Sequence, residues 1–364
     1  MNILFYTSFN ERSITLESTA FYLMEKHNLK LLTTAKKGEI HKYLIENGIE
    51  SFSSYEKQKG YIHLNEIKYL RKFIKLHNID IVHAHLQLPS LYSSIVYTFC
   101  KFKLLTVRHN SDVIYLQGNK KEIFIEKITN TLSPCIVAIS EIVKLQLIEK
   151  EGVNPKKIFR INNGYNFANL RDLSNDDYKI KLKHSFNNKF IVLLPGRFIE
   201  TKRHKIALQM MVTLIKKIPE IHLIFVGEGP YKNVVKQQIK ESKLEYFVSI
   251  LDFTSYIADL YDLANIVIQT SESEASNNVI KEALFFNKPV LACKDVGDFR
   301  EYLHSSMLID KYDPLNELEN NIMTLYKKPN IFKEAITISR NNMLSLFSMK
   351  NVGEKYDKIH ENLI

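Results

Sequence analysis

The sequence predicts an α/β protein made of two doubly wound, parallel-sheet domains in tandem. Three observations carry this. Short apolar runs alternate with helical patterns along most of the chain, which is how a parallel sheet with crossover helices reads. The alternation pauses once, near Asn163-Gly164, and then restarts. The length, 364 residues, suits two domains that each bury a core of their own.

The first half opens on a strand over Ile3–Thr7, followed by a helix over about Thr15–His27 and a second strand, Leu29–Thr34. Ile40–Asn47 repeats the helix signal. Leu64–His77 is amphipathic, with Leu64, Ile67, Leu70, Phe73 and Ile74 on one side and Lys68, Arg71, Lys72 and Lys75 over much of the rest. Ile79–His83 then reads as a strand, Ser90–Phe99 as a helix, Leu104–Arg108 as a strand, Glu122–Leu132 as a helix and Cys135–Ile139 as a strand. Ser140 caps a helix through Glu149, and Ile158–Ile161 closes the half. Residues 1–165 form the expected N-terminal domain.

Residues 166–188 are polar and irregular and read as a linker. They lead into a second domain that extends to residue 346. Its strands are expected at Phe190–Leu194, His222–Val226, Val248–Leu251, Ile266–Gln269 and Pro289–Ala292. The helices between them fall at Lys205–Lys216, Tyr231–Ser242, Ile257–Asp262 and Asn278–Phe286. The tail from Phe347 to residue 364 is helical. Sheets of this kind bind ligands outside the carboxyl ends of their strands, so two facing domains would form a cleft there.

Composition narrows the class. With 45% hydrophobic and 25% charged residues, the chain is an ordinary globular protein. No apolar stretch approaches the roughly 18 residues needed to span a bilayer. The start, MNILFYTSFN, reads as a first strand; it lacks the basic segment of a secretory leader. Cys100, Cys135 and Cys293 are scattered and form no CxxC pair, which points to a reducing, cytoplasmic setting and away from a structural metal. The net charge of +10 is uneven: Lys and Arg outnumber Asp and Glu by 23 to 15 in residues 1–165, and by 27 to 25 in the remainder. The basic half suits an anionic acceptor or an anionic membrane surface.

Three segments carry the chemistry. In SESEASNNVIKEAL, Glu274 stands in a loop and Glu282 about two turns into the following helix. Between them, Ala275, Ser276, Asn277, Asn278 and Val279 lead into a helix start whose free N–H groups favour an anion. Two carboxylates for hydroxyls and a backbone cradle for phosphate suit a nucleotide-activated sugar. The strand Phe190–Leu194 ends in Pro195-Gly196-Arg197, with Lys202 five residues on; a guanidinium and an ammonium there would neutralise a leaving diphosphate. Gly227-Glu228-Gly229-Pro230 follows another strand and could border a nucleotide, although its spacing is no dinucleotide fingerprint.

Together these residues resemble a retaining glycosyltransferase of family 4 with the two-domain GT-B fold, two Rossmann-like domains facing across a cleft. LLPGRFIETK resembles the Gly-Arg…Lys motif, HLIFVGEGP the strand with Gly-x-Gly-Pro, and TSESEASNNVIKEAL the glutamate-x7-glutamate motif. DIVHAH, CIVAISEIVK and RINNGYN resemble further family segments. The resemblance implies that Arg197 and Lys202 hold the donor diphosphate. It also implies that Glu282 binds the ribose and that Glu274 contacts the transferred sugar, with the backbone of residues 275–278 near sugar and phosphate. His109 would approach the donor sugar. The first domain would take the acceptor, and the tail would cross back to it. The implied chemistry is transfer of a hexose or N-acetylhexosamine from a nucleotide diphosphate sugar, with retention and without metal or cofactor. The acceptor would be a saccharide or lipid-linked saccharide of surface polysaccharide synthesis. A catalytically silent glycosyltransferase-like scaffold and a GT-B nucleotide-sugar epimerase are the alternatives.

The chain departs from the family pattern in places. The loop after the first strand reads SFNERSITLEST where paired glycines are usual, making Asn10, Arg12 and Ser13 the candidates to replace their contacts. Arg203-His204 follows Lys202 where a glycine is common, Ala275-Ser276 replaces Gly-Phe, and Thr254 stands in place of a loop glycine. His83 and His85 lack a third ligand and read as packing or cleft-lining residues. Ser140 reads as a helix cap, with no G-x-S-x-G elbow. The basic helix Leu64–His77 and the segment Lys101–Lys127 could rest on a membrane; no nucleic-acid-binding module is recognisable.

Overall fold

The computed structural model describes residues 1–55, 64–110 and 112–363. Ser111 and Ile364, which belong to the segments 101–127 and 347–364 named from the sequence, lie outside the described residues. The chain divides into two units, one joining Met1–Asn166 to Phe347–Ile364, the other running from Phe167 to Leu346.

The first unit holds seven parallel strands: β1 (Asn2–Thr7), β2 (Asn28–Thr33), β3 (Glu50–Ser53), β4 (Ile81–His85), β5 (Lys103–Arg108), β6 (Ile136–Ala138) and β7 (Ile158–Arg160). Their order is β3-β2-β1-β4-β5-β6-β7. Ile3 pairs with Leu29 on one side and Ile81 on the other. The central strands are buried on both faces, which is why they read as continuous apolar runs. The chain steps one way through β1, β2 and β3, then the other way from β4 to β7. Right-handed crossovers therefore put helices Ile14–Met24 and Glu39–Glu46 on one face, and Leu64–Leu76, Gln87–Tyr97 and Lys120–Leu132 on the other. The last three pack side by side. Their inward residues Leu70, Phe73, Ile74 and Tyr92 join Leu4, Val82 and Leu104 in one buried cluster.

Two expectations needed correction here. The strand expected at 79–83 lies at Ile81–His85, because Asn78 turns the chain in a left-handed conformation (φ 48°) and delays its entry into the sheet. Strand β3 was not expected; ESFS is short and polar, and only its edge position makes it a strand.

The final helix, Met349–Leu363, packs on Ile14–Met24. The approach is close because residue 353 is glycine: a Cβ there would lie 2.3 Å from the Tyr22 ring. Tyr22 donates its hydroxyl to Asp357 (2.8 Å), which also pairs with Lys26 (2.7 Å).

The second unit contains β8 (Phe190–Pro195), β9 (Ile221–Val226), β10 (Val248–Leu251), β11 (Ile266–Gln269), β12 (Val290–Cys293) and β13 (Leu308–Ile309), ordered β10-β9-β8-β11-β12-β13. The direction of winding reverses between β8 and β11. The stretch 166–188 is structured, contrary to the linker reading. It holds a short 3-10 turn at Phe167–Leu170 and a helix at Asp176–Ser185, capped by Asn175, whose side chain accepts from the Tyr178 amide (2.9 Å). Only Leu182 of that helix is fully buried, so no apolar period announces it. Asp259 fixes its start by accepting from Ser174 (2.5 Å) and the Asn175 amide (2.8 Å). Among the described residues no helix is long and apolar enough to cross a membrane.

Candidate functional site

In the second unit, the expected residues gather where β8, β9 and β11 end, at the reversal of winding where doubly wound sheets bind ligands. Strand β8 ends at Pro195, and Gly196 turns the chain with φ 156°. The loop after β9 lies directly against it. Gly196 donates its amide to the Val226 carbonyl (2.9 Å), and Phe198 donates to the Glu228 carbonyl (2.8 Å). A side chain on Gly227 would put its Cβ 2.2 Å from the Gly196 oxygen, so this approach requires glycine. Glu228 points outward and accepts from Lys232 (2.9 Å), which also reaches Asp252 (2.6 Å). The Arg197 side chain is exposed and its guanidinium has no hydrogen-bond or ion-pair partner among the described residues.

Lys202 and Glu274, 72 positions apart, meet: the ammonium of Lys202 donates to Glu274 Oε1, which also accepts from Ser271 Oγ (2.7 Å). Both side chains are largely buried, at 12% and 13% exposure, so the pair is only lightly screened. The loop after β11 is tied to the Lys202 segment by its backbone as well. Glu272 donates its amide to the Thr201 carbonyl (2.8 Å), and Thr270 Oγ1 donates to the Lys202 carbonyl (2.8 Å). Arg203 adopts φ 51°, the left-handed region that explains why a glycine is common there. Its guanidinium compensates by donating to the carbonyls of Thr270 (2.7 Å) and Lys311 (2.8 Å), lacing the ends of β11 and β13.

Asn277 caps the helix Asn278–Phe285 by accepting from the Ile280 amide (3.2 Å), which leaves the Asn278 and Val279 amides at the open first turn. Ala275 and Ser276 precede the cap, half-buried. Glu282 lies on the same helix. Its Oε2 accepts from Tyr261 (2.8 Å), Oε1 has no protein partner among the described residues, and burial raises its carboxyl above the usual range.

Sequence reasoning missed the pair beneath this loop. Lys281 and Asp298, both fully buried, are 2.6 Å apart, and Ser276 Oγ lies 2.6 Å from each, accepting from the lysine and donating to the carboxylate. A lysine four positions after the cap, between the buried apolar residues Ile280 and Ala283, was the available signal; its partner, 17 residues away, left none. Missed too was His204, which is 3% exposed, stacks on Phe198 (4.6 Å, 5°) and meets Phe225 edge-on. Neither of its ring nitrogens has a partner, and burial, with the Lys202 charge adding to it, pushes its pKa down to about 4.

In the first unit, His109 follows β5, half-buried, with Nε2 lying 3.0 Å from His85 Nδ1; burial pushes it down to about 4. His83 is buried behind His85, and its Nε2 meets His360 Nε2 of the final helix (2.7 Å). His83 and His85 are therefore packing residues, in line with the sequence reading, joined in a row with His360 and His109. Among the described residues no group of three or more His, Cys, Asp or Glu is arranged to hold a metal. The fold itself uses the first-loop candidates. Arg12 makes a two-pronged contact with buried Glu17 (2.6 and 2.8 Å) and lies 3.3 Å over the Tyr43 ring. Ser13 caps the helix Ile14–Met24, its amide donating to Glu17 (2.9 Å). The Asn10 carbonyl accepts from Ile40 (3.2 Å) and leaves its side chain available. The expectation that Arg12 and Ser13 replace ligand contacts is thus set against local bonds that already occupy them.

Comparison with known proteins follows this division. Residues 14–169 match the family model described as Glycosyltransferase Family 4, and residues 176–341 match Glycosyl transferases group 1. The chain belongs to the family 4 type of glycosyltransferase. It is 23% identical over 297 residues to the poly(ribitol-phosphate) alpha-N-acetylglucosaminyltransferase of Staphylococcus aureus (strain COL), covering 80% of this chain and 57% of that one. It is also 23% identical over 306 residues to the alpha-monoglucosyldiacylglycerol synthase of Acholeplasma laidlawii, covering 76% and 73%. The crystal structure of Anabaena Alr3699/HepE in complex with UDP and glucose superposes with a TM-score of 0.83 at 18% identity over 99% of each chain. That likeness shows the GT-B type of fold, two parallel-sheet Rossmann-like domains.

Proposed function

We propose that this glycosyltransferase moves a hexose or N-acetylhexosamine from a nucleotide diphosphate sugar, a UDP-sugar, to a hydroxyl of a saccharide or lipid-linked saccharide, with retention and without metal or cofactor. One observation carries the reading. At the reversal between β8 and β11, an unpartnered Arg197, the Lys202–Glu274 pair and an open helix start converge. Arg197 and Lys202 hold the diphosphate and neutralise the charge that develops as the anomeric C–O bond breaks. Glu282 Oε1 takes the ribose hydroxyls, and Glu274 turns to hydroxyls of the sugar as Lys202 engages phosphate. The acceptor oxygen attacks the anomeric carbon on the face the diphosphate leaves, and the departing phosphate oxygen takes the acceptor proton.

The names of the relatives support the substrate class: one transfers N-acetylglucosamine to poly(ribitol-phosphate), and the Anabaena protein was crystallised with UDP and glucose. The setting that follows is surface polysaccharide or lipopolysaccharide synthesis in the cytoplasm, at the inner face of the membrane, with the basic first unit meeting anionic lipid. The test is product formation by the purified chain from UDP-glucose, UDP-N-acetylglucosamine, UDP-galactose and GDP-mannose, with a panel of saccharide acceptors and a chelator present. Transfer from a UDP-sugar with the donor's anomeric configuration kept, read from the H1–H2 coupling of the product, is expected. Activity lost to the chelator and restored by a divalent cation would overturn metal independence, an inverted product would overturn retention, and conversion of donor without acceptor would favour an epimerase.

A further inference from the structure

Ser276, Lys281 and Asp298 form a closed triangle beneath the loop that runs from Glu274 to the helix Asn278–Phe285. Lys281 donates to both Ser276 Oγ and Asp298 Oδ2 (2.6 Å each), and Ser276 donates to that same carboxylate oxygen (2.6 Å). Lys281 and Asp298 are shut off from solvent. Ser276 has one hydroxyl proton, and the carboxylate takes it. Its side chain is therefore committed to the interior, and what its loop offers outward is backbone. The amides of Ala275, Ser276, Asn277, Asn278 and Val279 have no acceptor among the described residues. A run of successive N–H groups of this kind is a ready cradle for anionic oxygens.

The loop after β12 holds the same segment at a second point. Gly297 adopts φ 58°, and a Cβ there would lie 3.0 Å from Glu274 Cβ. Gly297 thus lies against Glu274 while its neighbour Asp298 holds Ser276. The triangle is a poor arrangement for stability alone. Asp298 Oδ1 is buried with no partner, so the carboxylate loses its water and uses only one of its two oxygens. A buried ion pair commonly stabilises a fold no more than apolar side chains of the same volume would. What an apolar pair cannot do is fix the direction of a hydroxyl. The pair is also neutral overall, so it gives the loop geometry and no net charge.

We infer that Lys281 and Asp298 are positioning residues for glycosyl transfer: through Ser276 they hold the amides of residues 275–279 in the arrangement that takes the diphosphate and sugar oxygens of the donor. This deepens the proposed function and rests on it. Both side chains are fully buried, so they act on the donor only through the loop. Gly297, having no side chain, leaves Glu274 its place at Lys202.

The test compares S276A, S276T and the double variant K281M/D298A with wild type by steady-state kinetics on the UDP-sugar, calorimetric titration with UDP and thermal unfolding. S276A leaves Lys281 and Asp298 paired, so it should melt close to wild type. It should nevertheless lower kcat/KM for the UDP-sugar by about tenfold to a hundredfold and weaken UDP binding, with KM for the acceptor near its wild-type value. S276T keeps the hydroxyl and should recover most of that loss. K281M/D298A should show the same defect, and adding S276A to it should cost little more, because the three residues act as one unit. A folded S276A with wild-type kcat/KM, or losses that multiply in the triple variant, would overturn the positioning role while leaving glycosyl transfer in place. A wild type that neither binds UDP nor transfers sugar would overturn the functional reading itself, and the positioning role with it.

Discussion

His204 offers a prediction whose size follows from the structure. It lies two residues after Lys202, sandwiched by Phe198 and Phe225, with no partner for either ring nitrogen. Charging it there means desolvating an imidazolium beside Lys202, so its pKa falls to about 4, against about 6.5 in an unfolded chain. The folded value is the lower one, so between these two values the unfolded state binds the extra proton. The stability is complete above about pH 6.5 and is lost as pH falls towards about 4. Between about pH 7.5 and about pH 5 this one group costs the second unit about 2 kcal/mol, with a slope approaching about 1.4 kcal/mol per pH unit. The assay is urea unfolding of wild type and His204→Leu across that range. The other histidines titrate alike in both proteins, so the difference isolates His204. The stability difference should move by about 2 kcal/mol in favour of the variant on acidification. Equal pH dependence in the two proteins, or an NMR titration of this imidazole near its ordinary value, would refute the argument.

Three further outcomes are expected. Lys202→Ala should lower turnover by at least about a hundredfold with a smaller effect on melting temperature; an unchanged kcat would remove it from leaving-group stabilisation. In Glu282→Ala the thermal shift given by saturating UDP, about 2.7 kcal/mol at a hundred times Kd, should shrink or vanish, and an undiminished shift would rule out the ribose role. Asp298→Ala should destabilise the second unit by about 3–5 kcal/mol, because it strands Lys281 as a buried charge, whereas the double variant with Lys281→Met should recover much of that loss. If the single variant melts like wild type, the pair does not support the loop at Ser276.

Local residue patterns were enough to lay out the alternation of strands and helices. Buried parallel strands such as Ile191–Leu194 must be apolar on both faces, and helices such as Leu64–Leu76 must be apolar on one, so both leave a local period. The sequence also marked Gly196, Arg197, Lys202, Glu274 and Glu282, because chemistry at strand ends concentrates in loops with unusual residues. What has no local period stayed hidden: the helix Asp176–Ser185, with one buried leucine, and the edge strand Glu50–Ser53. Which residues meet emerged from the assembled sheets alone. They joined Lys202 to Glu274 across 72 positions, put Asp298 under Ser276, and spent Arg12 and Ser13 on the first helix. The reason is physical. A residue's type and its immediate neighbours decide whether it favours a strand, a helix or a loop, but the partner of a charge is set by where the crossovers return the chain, and that geometry belongs to the whole sheet.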